Sequence, residues 1–135
     1  MSPHNTCEAV AVRCIDFRIQ KFLNAYLDEK FPGSYDCLSL AGGVKHLLDD
    51  GEEYNTALHN LRISHSLHYP SRIVLIQHED CGAYGGCVAF ENDFEKELAF
   101  HKQQMEQAEE LLKQHFPEAS IEKLLIRLSG ELLSI

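Results

Sequence analysis

Four consecutive large aliphatic residues, Ile73 to Ile76, run almost directly into a polar, glycine-rich turn that extends from His78 to Gly86. The apolar run is too short for a helix and has no polar alternation, which is typical of a strand buried on both faces of a parallel sheet. Ligand sites in open parallel sheets lie just beyond the carboxyl ends of the strands. We therefore expect a buried strand that leads straight into a functional site.

The rest of the chain alternates between strand-like and helix-like segments. This order predicts an α/β fold, a single domain over residues 1–135 with a mainly parallel β-sheet flanked by helices. The last two strand-like segments suggest a final strand or a terminal hairpin. The second helical segment is expected to bury Tyr54, Leu58, Leu61 and Leu67. The helix-like segments span 19–31, 52–67 and 94–116, and the strand-like segments span 8–14, 35–40, 73–76, 124–128 and 132–135.

Composition restricts the class of protein and its partners. The 135 residues are enough for one packed core, and 44% of them are apolar and 24% charged, as in ordinary globular domains. The formal net charge of −9 argues against nucleic acid and against a membrane surface as partners, because both require a basic patch. No apolar run approaches the roughly 20 residues of a transmembrane helix, and the N-terminus lacks a signal-peptide core. The cytoplasm is therefore the expected location.

An odd number of cysteines, five, predicts free thiols, metal ligands or core residues rather than a disulfide framework. Cys7 and Cys37 adjoin apolar runs and are expected to pack as small hydrophobic residues. Cys87 lies six residues after Cys81 and is the most credible spare ligand, although packing is the favoured interpretation. His65 and His68 lie three apart on the second helical segment and are expected to face solvent.

Two segments at strand ends carry residues that can bind a metal. His78 and Cys81 offer the nitrogen and the thiolate that zinc prefers, but two ligands are too few for a zinc site. If the backbone stays extended after the first strand, Cys14, Asp16 and Arg18 project to one side. A surface ion pair between Asp16 and Arg18, with Cys14 in the core, is the alternative interpretation of this segment alone.

The predicted parallel topology brings these segments to one edge of the sheet. Cys14, His78 and Cys81 then converge with the glycine turn at 41–43, and they supply three zinc ligands. The fourth position is left to Asp16 or to water. Three protein ligands and one exchangeable position are typical of a catalytic zinc site, whereas four fixed ligands are typical of a structural one.

The Cys-x-Asp-x-Arg motif that begins at Cys14 and the His-x-x-Cys-Gly motif that begins at His78 resemble the signature of the β-class carbonic anhydrases. The spacing within each motif matches, and so does the strand-then-turn context. The resemblance spans roughly residues 8–90. It implies a bound Zn²⁺ and the fold of that family. By this resemblance the zinc ligands are Cys14, His78 and Cys81, and the catalytic dyad beside the metal is Asp16 and Arg18.

The implied activity is the reversible hydration of carbon dioxide to bicarbonate by a zinc-bound hydroxide. In the family the aspartate either pairs with the arginine, which leaves water on zinc, or moves onto the metal in a closed, inactive state. The family also implies a homodimer or a higher homo-oligomer. The backbone near the inferred site is expected to contact the small-molecule substrate at Gly42, Gly43, Gly82 and Ala83.

Two features differ from the usual family pattern. The turn after the second strand reads Ser-Leu-Ala-Gly over 39–42, where Arg-Asn-Ala-Gly is common, and about seven residues precede the first strand, where members usually carry a helical arm. The pocket is therefore expected to lack some of the usual contacts. Two alternatives stay open: a related zinc hydrolase acting on carbon disulfide or carbonyl sulfide, and a noncatalytic zinc protein in which Asp16 closes the fourth position.

Overall fold

The computed structural model describes residues 5–135 and contains a single five-stranded sheet within that range. Short 3₁₀ turns cover Glu52–Tyr54, Gly82–Tyr84 and Cys87–Phe90. The strands are β1 (Ala9–Arg13), β2 (Tyr35–Ser39), β3 (Arg72–His78), β4 (Ser120–Ile126) and β5 (Leu132–Ser134). The helices are α1 (Gln20–Lys30), α2 (Lys45–Asp49), α3 (Thr56–His68) and α4 (Phe94–His115).

The strand order is β2-β1-β3-β4-β5. The first four strands are parallel, and β5 turns back to pair antiparallel with β4. The end of the chain is therefore the terminal hairpin that the sequence left as one of two possibilities. The architecture confirms the predicted α/β fold with a mainly parallel sheet flanked by helices.

β3 lies at the centre of the sheet and is buried on both faces, as its sequence predicts. Ile73 and Leu75 belong to one core cluster, whereas Val74 and Ile76 belong to the other. The alternation follows from the two-residue period of a strand, which sends successive side chains to opposite faces. The first cluster packs beneath α2, α3 and α4, and the second packs beneath α1. Helices thus cover both faces of the strand that leads to the predicted site.

Two of the predicted core contacts in the second helical segment are wrong. Tyr54 is 78% exposed and Leu67 is 55% exposed, whereas Leu58 and Leu61 are buried. Tyr54 lies in the 3₁₀ turn before α3, since the buried Asn55 caps that helix by accepting a hydrogen bond from the Leu58 N–H at 2.9 Å. The helical face changes at this cap, so spacing counted across it misplaces Tyr54.

Candidate metal centre

Two neighbouring parallel strands bring the three predicted ligands together. Cys14 directly follows β1, His78 is the last residue of β3, and Cys81 lies in the turn after it. All three side chains are buried, and their ligand atoms lie within 4.8 Å of one another. The Sγ atoms of Cys14 and Cys81 are 3.9 Å apart. A buried set of two sulfurs and one imidazole has the donor chemistry of a zinc site.

The imidazole of His78 has one ring nitrogen without a partner. Its Nδ1 lies 2.7 Å from the carbonyl oxygen of Glu79, so Nδ1–H donates there, and in the neutral ring Nε2 is the nitrogen that carries the lone pair. Nε2 is buried and has no hydrogen-bond partner among the described residues. A backbone carbonyl on the distal nitrogen is the arrangement usual for metal-ligating histidines. A metal bound by Nε2 would satisfy this atom, so the residue fits the ligand role.

The sulfur atoms of Cys14 and Cys81 lie in contact and accept hydrogen bonds from the backbone. Contact with Cys81 lowers the pKa of Cys14, and the same contact raises the pKa of Cys81. The N–H of Gly42 donates to Cys14 Sγ at 3.3 Å, and the N–H of Ala83 lowers the pKa of Cys81. Backbone donors aimed at both sulfurs favour thiolates, which are the form that binds metal. The pair therefore also fits a divalent cation.

Asp16 and Arg18 form a two-pronged ion pair beside these ligands. Arg18 donates from Nη2 to Asp16 Oδ2 at 2.7 Å and from Nε to Oδ1 at 3.1 Å. The guanidinium beside it lowers the pKa of Asp16 to about 2, so the carboxylate stays ionised at neutral pH. Asp16 Oδ2 also lies 3.8 Å from His78 Nε2. The carboxylate thus reaches the ligand cluster while it is held by arginine.

β1 ends at Arg13, and residues 14–16 belong to no regular element. A turn follows over residues 17–19, in which the Arg18 N–H donates to Asp16 Oδ1 at 2.9 Å. The Asp16 side chain is 14% exposed, so the pair is not the solvent-exposed one that the sequence left as an alternative. Ile15 and Phe17 lie on the other side, as the alternation predicts, and are 60% and 86% exposed. The segment therefore separates a polar inner face from an apolar outer face.

Asp80 is a further charged residue of this site that the sequence pattern did not single out. Its Oδ2 accepts from Arg18 Nη1 at 3.0 Å, and its carbonyl oxygen accepts from Arg18 Nη2 at the same distance. The N–H of Cys87 donates to Asp80 Oδ1 at 2.7 Å, and this bond lowers the pKa of Asp80. Asp80 holds φ at 60°, a conformation in which Asp is enriched. Asp80 lies inside the His-x-x-Cys motif, and this position is the sequence signal that could have identified it.

Cys87 does not join the ligand cluster. Its thiol donates to Asn92 Oδ1 at 3.2 Å, and it is absent from the metal-competent groups of the described chain. Glu97, a buried residue of α4, instead supports the turn by accepting the Asp80 N–H at 2.7 Å. The sequence pattern did not single out Glu97. Only tertiary packing brings the first turn of α4 against the loop at 79–86 that carries Cys81, which we call the ligand loop.

The glycine turn after β2 passes close to the end of β3. Gly43 has φ of +56°, and a Cβ there would lie 2.4 Å from Gln77 Oε1 and 3.2 Å from the Ile76 carbonyl oxygen. Gln77 is buried and accepts the Val44 N–H at 3.2 Å, which fastens the turn to the sheet. Because Gly43 has no side chain, the turn can lie close to the end of β3. This position lets the Gly42 N–H donate to Cys14 Sγ.

Gly43→Ala is expected to destabilise the fold by about 2 kcal/mol, because the new methyl group meets Gln77 and the backbone remains in the left-handed region. Urea denaturation followed by circular dichroism measures the change. Gly51→Ala is the matched control, since a Cβ at Gly51 meets nothing within 4 Å and its φ is not positive. Equal stability of the two variants would contradict the close approach at Gly43.

Solved structures of similar architecture identify the fold. Carbonic anhydrase from Glaciozyma antarctica matches with a TM-score of 0.66 and 19% identity, over 98% of this chain and 84% of that one. The β-carbonic anhydrase isoform I of Trichomonas vaginalis matches with a TM-score of 0.61 and 18% identity, over 100% and 87%. Two tetrameric β-carbonic anhydrases of Sordaria macrospora give 0.63 and 15%, over 97% and 81%. The chain therefore has the β-carbonic anhydrase fold.

Sequence comparison gives the family. The family model described as "Putative carbonic anhydrase" matches residues 4–135. An uncharacterised protein of Rickettsia conorii is 28% identical over 131 residues, which cover 93% of this chain and 70% of that protein. A second uncharacterised protein, from Rickettsia bellii, is 25% identical over 131 residues, which cover 93% and 80%. The chain belongs to this carbonic anhydrase family and is a divergent member of it.

Proposed function

We propose that the protein binds Zn²⁺ through Cys14, His78 and Cys81 and catalyses the reversible hydration of carbon dioxide to bicarbonate. The observation that carries the proposal is the buried cluster of two thiols and an unpartnered His78 Nε2, next to an ionised carboxylate. The cluster occupies the carboxyl edge of a parallel sheet, where α/β proteins hold their ligands. Membership of a carbonic anhydrase family supports the same activity.

Zinc held by Cys14, His78 and Cys81 would supply a Lewis acid that lowers the pKa of water toward neutrality. The chain's own residues orient the reacting water. Asp16 Oδ2, which lies 3.8 Å from His78 Nε2, is placed to accept a hydrogen bond from the reacting water. Arg18 keeps this carboxylate ionised and holds it in position through two parallel hydrogen bonds. In the overall reaction water adds to carbon dioxide, and one proton passes to solvent.

The carbon dioxide molecule is proposed to lie against the backbone at Gly42, Gly43, Gly82 and Ala83. Gly82 supports this proposal because a Cβ there would meet nothing within 4 Å, so open space adjoins the ligand loop. The N–H groups of Gly42 and Ala83 already stabilise the two sulfurs, and their first role is therefore toward the ligands. Contact with substrate at these four positions is a prediction.

A comparison of substrates tests the activity against its alternatives. A single zinc-loaded preparation is assayed with carbon dioxide, carbonyl sulfide and carbon disulfide, each as a linear molecule open to attack at carbon. The proposal predicts that carbon dioxide turns over fastest. Faster turnover of a sulfur compound would reassign the enzyme to that substrate, and no turnover of any of the three would indicate a noncatalytic zinc protein.

The Arg18 contacts support an Asp16 that is held away from the metal.

We also expect the chain to form a homodimer or a higher homo-oligomer in the cytoplasm. Three large apolar side chains are exposed near Asp16 and the ligand loop, namely Ile15 (60%), Phe17 (86%) and Val88 (70%). A second copy of the chain would cover them. The structurally similar Sordaria macrospora enzymes are described as tetrameric. The five cysteines are all free, which suits a reducing compartment. None of the helices within residues 5–135 is both long and apolar enough to span a membrane.

Sedimentation velocity at micromolar concentration tests the assembly. The wild-type chain is expected to sediment as a dimer or larger, because exposed apolar side chains of this size favour association. Phe17→Ser is expected to weaken the assembly, whereas Tyr54→Ser, which removes an equally exposed aromatic ring elsewhere, is expected to leave it unchanged. A monomeric wild-type protein would contradict the prediction.

A further inference from the structure

A second group of metal-competent side chains lies at the opposite end of the sheet from the candidate metal centre. Cys7 precedes β1, Asp36 is the second residue of β2, and His68 is the last residue of α3. Seven residues, about 20 Å of extended chain, separate Cys7 from Cys14. We call this group the Cys7–Asp36–His68 cluster. It takes no part in the proposed reaction.

The ligand atoms of the cluster converge. One sulfur, one carboxylate oxygen and one imidazole nitrogen lie within 4.8 Å of one another. Asp36 Oδ2 is 2.7 Å from His68 Nδ1, and it also accepts the hydroxyl of Ser64 at 2.7 Å. The backbone N–H of Cys7 donates to the His68 carbonyl oxygen at 2.9 Å, which fixes the N-terminal segment to the end of α3. Three separate elements therefore hold the donors in place.

The chemistry of the donors favours a divalent cation of borderline softness. Thiolate, imidazole and carboxylate are the three ligand types of protein zinc sites. Burial, together with the negative charge of Asp36, raises the pKa of Cys7. Without a metal, the negative charge of a neighbouring carboxylate disfavours the thiolate form of a cysteine. A divalent cation bound by both groups would favour it. Ser64, which already donates to Asp36, would orient the ligating carboxylate from outside.

The cluster is accessible from solvent. The side chain of His68 is 40% exposed and that of Asp36 is 31% exposed. A groove of about 200 Å³ reaches Asp36, Ser64 and His68. A metal ion thus has an entry path, and a water molecule has room to complete the coordination. The sequence paired His68 with His65 as a solvent-facing pair. It also assigned Cys7 to packing, although Cys7 is half-buried beside a carboxylate and a histidine.

We propose that Cys7, Asp36 and His68 form a second zinc site, with solvent as the remaining ligand. Binding through Nδ1 would shift the ring proton of His68 from Nδ1 to Nε2 and release the thiol proton of Cys7 to solvent, so that three metal–ligand bonds replace the Asp36–His68 hydrogen bond. The ion links the N-terminal segment, the edge strand β2 and the end of α3. Its role is therefore to fasten the open edge of the sheet. Without a metal, Ser64 donates to Asp36, Asp36 pairs with His68, and the Cys7 thiol donates to the Ala9 carbonyl oxygen at 3.3 Å.

Cobalt titration of the full-length protein tests the site. Co²⁺ is added to apoprotein of wild type, Cys7→Ser and Cys37→Ser, and thiolate-to-cobalt absorption and equilibrium dialysis give the number of ions bound. Cys37→Ser is the matched control, because Cys37 is an exposed free thiol next to Asp36 in sequence. Wild type and Cys37→Ser are expected to bind two equivalents, and Cys7→Ser one.

The comparison separates this site from the candidate metal centre. In a Cys81→Ser background one equivalent should remain, and adding Cys7→Ser should abolish it. Melting provides a second readout: Zn²⁺ should raise the melting temperature of Cys81→Ser and leave that of the Cys7→Ser/Cys81→Ser variant unchanged. If Cys7→Ser does not fold, His68→Gln takes its place and should lose the same equivalent. Equal metal binding by Cys7→Ser and Cys37→Ser, or by wild type and His68→Gln, would overturn the proposal.

Discussion

Cys81→Ser is expected to empty the candidate metal centre and to lower carbon dioxide hydration by at least 100-fold. The substitution removes one of the three proposed ligands, and His78 Nε2 and Cys14 Sγ alone form an incomplete set. A serine hydroxyl is a far weaker zinc ligand than a thiolate, and loss of a direct ligand should exceed the 10- to 100-fold effects typical of outer contacts. Zinc is measured by atomic emission, and hydration by stopped-flow pH indicator.

The matched control is Cys87→Ser, because Cys87 is a half-buried thiol of the same loop region outside the ligand cluster. Both substitutions are made in a Cys7→Ser background, so that the metal counted is that of the candidate metal centre. Circular dichroism verifies that each variant folds. If Cys81→Ser kept its zinc and its turnover, Cys81 would be removed from the ligand set.

Asp16→Asn is expected to keep zinc bound and to lower turnover by about 100-fold, the scale of a lost proton acceptor. The three proposed ligands are untouched, so metal content should not change. The amide replaces one carboxylate oxygen with an NH₂ group, which cannot accept a hydrogen bond from the reacting water or from Arg18. Steady-state hydration rates on metal-quantified protein measure the effect.

Asp28→Asn provides the control for Asp16→Asn, because it removes an equal charge at an exposed position in α1, where Asp28 accepts a hydrogen bond from the Tyr35 hydroxyl. Its turnover should equal that of wild type. A further comparison with Arg18→Lys tests the pairing, since lysine keeps the charge but loses the two parallel hydrogen bonds. Wild-type turnover in Asp16→Asn would show that the dyad is not catalytic.

The parts of the fold that follow from local sequence were predictable. The unbroken aliphatic run at 73–76 fixes β3 as a strand buried on both faces, because no amphipathic alternative fits it. The alternating order of strands and helices then predicts the parallel sheet and the edge at which Cys14, His78 and Cys81 meet. Motif spacing adds the residues that lie within each loop. All of these inferences depend on neighbours along the chain.

The parts that depend on tertiary contacts were not predictable in this way. α2 covers only Lys45–Asp49, which is too short to show a helical period. Glu97 reads as part of a charged helical face, and only the packing of α4 against the ligand loop buries it. The Cys7–Asp36–His68 cluster joins three elements separated by about 30 residues each, so no local spacing points to it.

The most direct test of the proposed function is stopped-flow hydration of carbon dioxide between pH 6 and pH 9, on wild-type protein whose zinc content is known. Asp16 has a pKa of about 2 and stays ionised over this range, so its protonation does not limit the rate. The expected result is rapid turnover per protein chain that rises with pH, as a metal-activated water requires. No turnover at any pH from fully zinc-loaded protein would contradict the assignment as a carbonic anhydrase.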